Sequence, residues 1–120
     1  LVIDTLLVVN NYRDYDQDRA VGKKTLIVRM GRERAEQLYG WLGNIATYMM
    51  WGCLVLGDSS FVLMLVCFAC FVPYALLHGA TRVQMRRIGR GRELNKVLGM
   101  TARNMFVFGV TTAIVTLFIL

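Results

Sequence analysis

Proline and histidine are nearly missing from this chain, and charge is missing from long stretches of it. One Pro and one His occur in 120 residues. Residues 37–57 carry no charged side chain, nor do residues 59–81, nor residues 104–120. More than half of the chain is hydrophobic, 56% in all. A soluble domain of this size could not hide so much apolar surface. Each of the first two uncharged runs can cross a hydrocarbon core of about 30 Å at about 1.5 Å per helical residue. The third is expected to gain its length from a helix starting near Glu93. Open sheets cannot satisfy their backbone in lipid. The expected fold class is therefore all-α, a multi-pass transmembrane helical bundle.

Cysteine is sparse as well. Cys53, Cys67 and Cys70 all stand in apolar stretches. Cys67-Phe-Ala-Cys70 has CxxC spacing, but no second pair and no neighbouring His accompany it. Small hydrophobic filler is the expectation. The single His78 is expected to be a polar interface residue rather than a ligand. Neither an internal repeat nor a low-complexity segment stands out. The start Leu1-Val2-Ile3, apolar and without Met, reads as a cut within a helix of a longer protein, and no signal peptide is expected.

Net charge is +6. All fourteen Lys and Arg fall in two zones, residues 13–34 and 82–103. The short connection Gly57-Asp58-Ser59-Ser60 has none. This is the positive-inside pattern, which places both basic zones on the cytoplasmic side and the 57–60 turn on the other. It argues against nucleic acid as the partner of the Arg-rich 82–92 stretch, whose expected role is attraction to anionic headgroups.

The organisation follows. Residues 1–13 read as the end of one span, and residues 14–35 as a cytoplasmic Asp-rich loop. Residues 37–57, 61–80 and 93–120 read as spans: about three complete ones plus the end of a fourth. Arg32-Glu33-Arg34-Ala35-Glu36 reads as an amphipathic entry turn, and residues 82–92 as a basic loop. Gly40, Gly43 and Gly52 would let helices approach closely, and Pro73 would kink its helix or loosen its hydrogen bonding. Asp4 has two placements, a cavity-facing intramembrane site or a short loop. Arg103 also has two, snorkelling to the interface or facing an anionic cavity.

What the chain does hold is an unusual acidic cluster, Asn10-Asn11-Tyr12-Arg13-Asp14-Tyr15-Asp16-Gln17-Asp18-Arg19, followed by Gly22-Lys23-Lys24-Thr25. Carboxylates this close repel by roughly 4 kcal/mol per pair at about 4 Å and an effective dielectric of about 20. A hard cation such as Mg²⁺ or Ca²⁺ relieves that repulsion. An EF-hand would need Gly where Arg19 stands and Glu where Thr25 stands. A P-loop would need Gly where Gln17 stands, and Ser or Thr where Lys24 stands. Both readings fail. Asp14 and Asp18 remain as an i, i+4 pair on one face of a helical turn, with Asp16 projecting elsewhere. Such a pair can hold Mg²⁺ that bridges substrate phosphates, with Lys23 and Lys24 neutralising a leaving diphosphate. A solvated acidic loop explains the spacing equally well at this point.

The string Asn10-Asn11-Tyr12-Arg13-Asp14-x-x-x-Asp18, then Gly22-Lys23-Lys24-Thr25-Leu26, then Val28-Arg29-Met30-Gly31, resembles the second aspartate-rich region of UbiA-type intramembrane prenyltransferases. The likeness is strongest to the branch that acts on 1,4-dihydroxy-2-naphthoate in menaquinone biosynthesis. Leu94-Asn95, Leu98 and Thr101-Ala102-Arg103 resemble the final helix of that branch.

The resemblance implies a bundle of nine spans around a cavity open to the cytoplasmic side, with this piece as its C-terminal part. It implies a Mg²⁺ cofactor held by Asp14 and Asp18, with Asp16 assisting. Arg13, Lys23 and Lys24 would contact the diphosphate, while Asn10 and Asn11 would line the pocket. The partners implied are a polyprenyl diphosphate, an aromatic acceptor and membrane lipid. The reaction implied is polyprenyl transfer to 1,4-dihydroxy-2-naphthoate with decarboxylation, giving demethylmenaquinone. The location implied is the bacterial inner (cytoplasmic) membrane, with the Asp-rich loop cytoplasmic and the C-terminus outside. The first aspartate motif of the family would stand upstream, so the piece by itself is expected to be inactive. Two alternatives are another aromatic acceptor, such as 4-hydroxybenzoate, and a non-catalytic membrane module.

Overall fold

The computed structural model describes residues 1–56 and 60–119, apart from the side chains of residues 54, 55 and 119. Six helices follow one another: α1 (Val2–Arg13), α2 (Tyr15–Ala20), α3 (Leu26–Met30), α4 (Arg32–Val55), α5 (Phe61–Ile88) and α6 (Leu94–Ile119). No strand occurs among the described residues. The expected all-helical class holds. The expected stretches 37–57, 61–80 and 93–120 lie largely in α4, α5 and α6, while residues 57–59 of the expected outer turn lie outside the described residues.

Helices α1, α4, α5 and α6 form a bundle in which α1 touches α4 and α6, and α5 touches α4 and α6. The molecule is elongated, 54 × 22 × 19 Å. Two helices are long and apolar enough to cross a membrane, α5 and most of α6. Only 22% of the apolar window of α5 and 17% of that of α6 are buried within the protein. The core helix of a soluble domain would be mostly covered, so these faces suit lipid. Phe61, Leu76, Phe106 and Leu117 lie among the exposed apolar residues on those faces. Helix α4 has the length, 24 residues. Its Tyr, Trp, Gly and Asn content leaves it short of the hydropathy that α5 and α6 reach.

Several boundaries differ from the expected ones for local reasons. The 14–35 loop contains α2, α3 and the first turn of α4. Thr25 caps α3, its hydroxyl accepting from the Val28 N–H at 3.1 Å, which satisfies one of the orphan donors of a helix start. The 82–92 loop is mostly helix, because nothing breaks α5 before Gly89. Arg82, Arg86 and Arg87 are therefore held on a helical frame. Helix α5 also runs on through Pro73, whose ring lies on the exposed side. Asp4 lies in the first turn of α1 rather than in a loop, with its side chain exposed.

Gly43 and Gly40 set the α4–α5 approach. A Cβ at Gly43 would overlap the His78 ring, and one at Gly40 would lie 2.7 Å from Arg82 Nη1. Gly52 has open space around it and plays no such part. His78 is buried, with its Nε2 donating to the Tyr39 carbonyl at 3.0 Å. Its ring stacks on Tyr39, with centroids 4.5 Å apart. It is the polar interface residue that its solitary place suggested. Cys67 is buried with Phe71 and Val115, as filler.

Candidate functional site

The acidic cluster sits where α1 ends and the chain turns into α2. The Asp14 N–H donates to the Asn10 carbonyl at 3.1 Å, and the Asp18 N–H donates to the Asp14 carbonyl at 2.8 Å. Helical spacing therefore continues across the junction, and Asp14 and Asp18 occupy successive turns, as an i, i+4 pair does. Gly22 then adopts φ 73°, a left-handed turn that favours glycine. The turn brings Lys23 back, so that its N–H donates to the Asp18 carbonyl at 2.9 Å. The Lys23 ammonium stands 3.4 Å from Asp18 Oδ1.

Arg13 grips Asp14 with two bonds, Nε to Oδ1 at 2.7 Å and Nη2 to Oδ2 at 3.0 Å. Nη2 also donates to Asn10 Oδ1 at 3.0 Å, and Nη1 donates to Asn95 Oδ1 at 3.1 Å. The Arg13 hydrogen bond holds the Asp14 carboxyl below the usual carboxylate range. Bidentate pairing of this kind fixes orientation as well as charge. Asn95 belongs to the first turn of α6, so the last helix takes part in the site although it lies 82 residues from Arg13.

Asp18 is buried, and its Oδ2 has no hydrogen-bond partner. A buried acceptor left bare costs about 1–3 kcal/mol. A cation at Oδ2 would relieve that cost, so the residues present fit a metal. No group of three or more His, Cys, Asp or Glu comes together among the described residues. Asp16 is engaged elsewhere. It faces Arg32, whose Nη2 is 2.9 Å away, and Arg90, whose Nε is 3.8 Å away. The bare oxygen is Asp18 Oδ2, while both oxygens of Asp14, one turn earlier, accept from Arg13. Mg²⁺ is commonly bound by one or two carboxylates, with waters and phosphate oxygens completing its shell.

The remaining expected site residues are near but differently engaged. Asn10 is tied to Arg13, and Asn11 is half-buried in the last turn of α1. Lys23 and Lys24 are exposed beyond Gly22. A polar cleft of about 350 Å³ opens beside Asp14, lined by Arg13, Asp14, Gly91, Arg92 and Asn95. A larger apolar cleft of about 500 Å³ lies at the other end of α1, among Val2, Ala46, Met49, Met50 and Phe108.

Arg32 is a contact that spacing alone did not reveal. Its guanidinium lies 5.0 Å from the Tyr12 ring centroid and 4.8 Å from that of Tyr15. It also donates to the Gly89 carbonyl. Arg32 therefore ties the cluster to the start of α4 and the end of α5. The pair Tyr12 and Tyr15, three residues apart, was the available hint, since aromatic faces attract guanidinium groups. Glu36 is the second surprise. Expected on an amphipathic entry turn, it is only 5% exposed. It accepts from Arg82 Nε at 2.9 Å and from Arg86 Nε and Nη2, each at 2.9 Å. Burial pushes its carboxyl up, and the bonds from Arg86 and Arg82 outweigh that and hold it below the ordinary value.

Comparison with known proteins agrees with the sequence likeness. The chain is 37% identical over 111 residues to the 1,4-dihydroxy-2-naphthoate octaprenyltransferase of Mycobacterium tuberculosis (strain H37Rv). The chain is a relative of a prenyltransferase. The match takes in 91% of this chain and 35% of the relative, so the chain spans about a third of that prenyltransferase's length. It therefore takes in nearly all of the helical bundle described above. No family model matches the chain. No solved structure matches it.

Proposed function

We propose that this chain is the diphosphate-binding part of a UbiA-type polyprenyltransferase of menaquinone biosynthesis, working in the membrane with its Asp-rich segment on the cytoplasmic side. The substrates proposed are a polyprenyl diphosphate and 1,4-dihydroxy-2-naphthoate. The observation that carries this reading is the Asp14–Asp18 pair, one member clamped by Arg13 and the other with a bare buried oxygen. The prenyltransferase likeness over 91% of the chain supports it.

In this reading Asp14 and Asp18 hold Mg²⁺, which would neutralise charge on the diphosphate oxygens. Arg13 orients Asp14. Lys23 and Lys24 offset the charge that grows on the leaving diphosphate as the allylic C–O bond breaks with its electron pair. The ring carbon that bears the carboxylate attacks the allylic carbon, and the carboxylate leaves as CO₂. Its bonding pair restores the ring, so no proton is needed. The product is a prenylated naphthalenediol, the reduced form of demethylmenaquinone. Apolar helix faces and lipid exclude the water that would quench the cation. The apolar cleft near Met49 and Met50 suits a hydrocarbon chain.

The test is an assay of membranes carrying the complete open reading frame. They should convert polyprenyl diphosphate and carboxyl-labelled 1,4-dihydroxy-2-naphthoate to prenylated product, with labelled CO₂ and inorganic diphosphate released in equal amounts. Transfer to 4-hydroxybenzoate instead, without CO₂ release, would replace the acceptor. No transfer to any aromatic acceptor would leave the non-catalytic membrane module.

A further inference from the structure

We infer that Arg92, in the turn between α5 and α6, is a further diphosphate-binding residue of this site; the inference rests on the prenyltransferase reading above. The starting point is how fully Arg13 is used. A guanidinium has five N–H donors. Arg13 spends two on Asp14, one on Asn10 and one on Asn95. It has one left, so it serves Asp14 rather than an incoming anion. A diphosphate entering the polar cleft beside Asp14 therefore needs another cation on the cleft wall.

Arg92 is that cation. It lines the cleft together with Arg13, Asp14, Gly91 and Asn95. Gly91 has φ 94°, a left-handed conformation that turns the chain just before it. The Asn95 N–H donates to the Arg92 carbonyl at 3.0 Å, so the backbone that carries Arg92 is tied to the residue that holds Arg13. The other arginines of the basic stretch are mostly occupied. Arg82 and Arg86 pair with Glu36, and Arg90 pairs with Asp16. No carboxylate pairs with Arg92 among the described residues. A guanidinium with no carboxylate partner presents the rigid donor fork that matches a bidentate phosphate edge. A lone acidic cluster would repel such an anion.

The experiment measures binding of inorganic diphosphate, in the presence of Mg²⁺, to the detergent-solubilised product of the complete open reading frame. Arg92→Gln should weaken binding by about tenfold or more, the effect of losing one charge-assisted contact. Arg92→Lys should recover part of it. Arg87→Gln, which removes the same charge from the neighbouring helix end but not from the cleft, should bind as the unaltered protein does. Equal affinities for the Arg92→Gln and Arg87→Gln proteins would overturn the assignment. Binding is read without turnover, so failure of the transfer reaction itself would appear separately, as an unaltered protein that binds diphosphate but transfers nothing.

Discussion

At the scale of single residues, the site turns on how Arg13 treats Asp14. The hydrogen bond from Arg13 stabilises the charged carboxylate, so the folded-state pKa lies below the unfolded one. The sign of the linkage follows. The stabilisation is present in full above the ordinary unfolded value of about 3.8 and is lost as pH falls through the lower folded value. A carbon-13 NMR titration of the Asp14 carboxyl should therefore show a midpoint below the ordinary range, and Arg13→Gln should move it back up. An unmoved midpoint would contradict the pairing. The i, i+4 relation of Asp14 and Asp18 was legible from spacing, because helical geometry is local. The capture of Arg13 by Asn95 was not, since nothing in the chain between them signals that α6 starts beside the end of α1. Arg13 was accordingly expected on the diphosphate, and the structure turns it towards Asp14.

At the scale of elements, close packing of α4 on α5 depends on Gly43. A methyl group there would overlap the His78 ring, and the ring is stacked on Tyr39 and Tyr74. Gly43→Ala should therefore destabilise the bundle by about 1–3 kcal/mol, the usual range for overpacking. Gly52→Ala, in open space, should be neutral or stabilising by up to about 1 kcal/mol, since Ala favours helix. Thermal melting of helicity in detergent separates the two. Equal melting would remove Gly43 from its packing role. The sequence placed the uncharged stretches of these helices well, since charge and lipid exclude each other. It placed their ends less well. Residues 82–88 carry Arg82, Arg86 and Arg87, which read as loop, yet they continue α5 until Gly89 provides a stop. Glu36 was read only as part of an amphipathic entry turn, because the arginine partners that bury it lie 46 and 50 residues away.

At the scale of the whole molecule, basic residues, the carboxylate pair and the polar cleft share one end of an elongated bundle, and apolar faces cover much of its length. That division suits a protein that handles a charged headgroup at the membrane surface and a hydrocarbon tail within it. The all-helical class followed from composition alone, because a chain this apolar has few other ways to satisfy its backbone in lipid. In the proposed reaction Asp14 and Asp18 would together hold the metal that a diphosphate needs. This is tested most directly by the Mg²⁺ dependence of prenyl transfer in membranes carrying the complete open reading frame, with Asp14→Ala and Asp18→Ala compared with the unaltered protein. A loss of about a hundredfold or more is expected in each variant, as when charge stabilisation of the leaving group is removed, with no rescue by Ca²⁺. Turnover near that of the unaltered protein in either variant, at the same Mg²⁺ concentration, would contradict it.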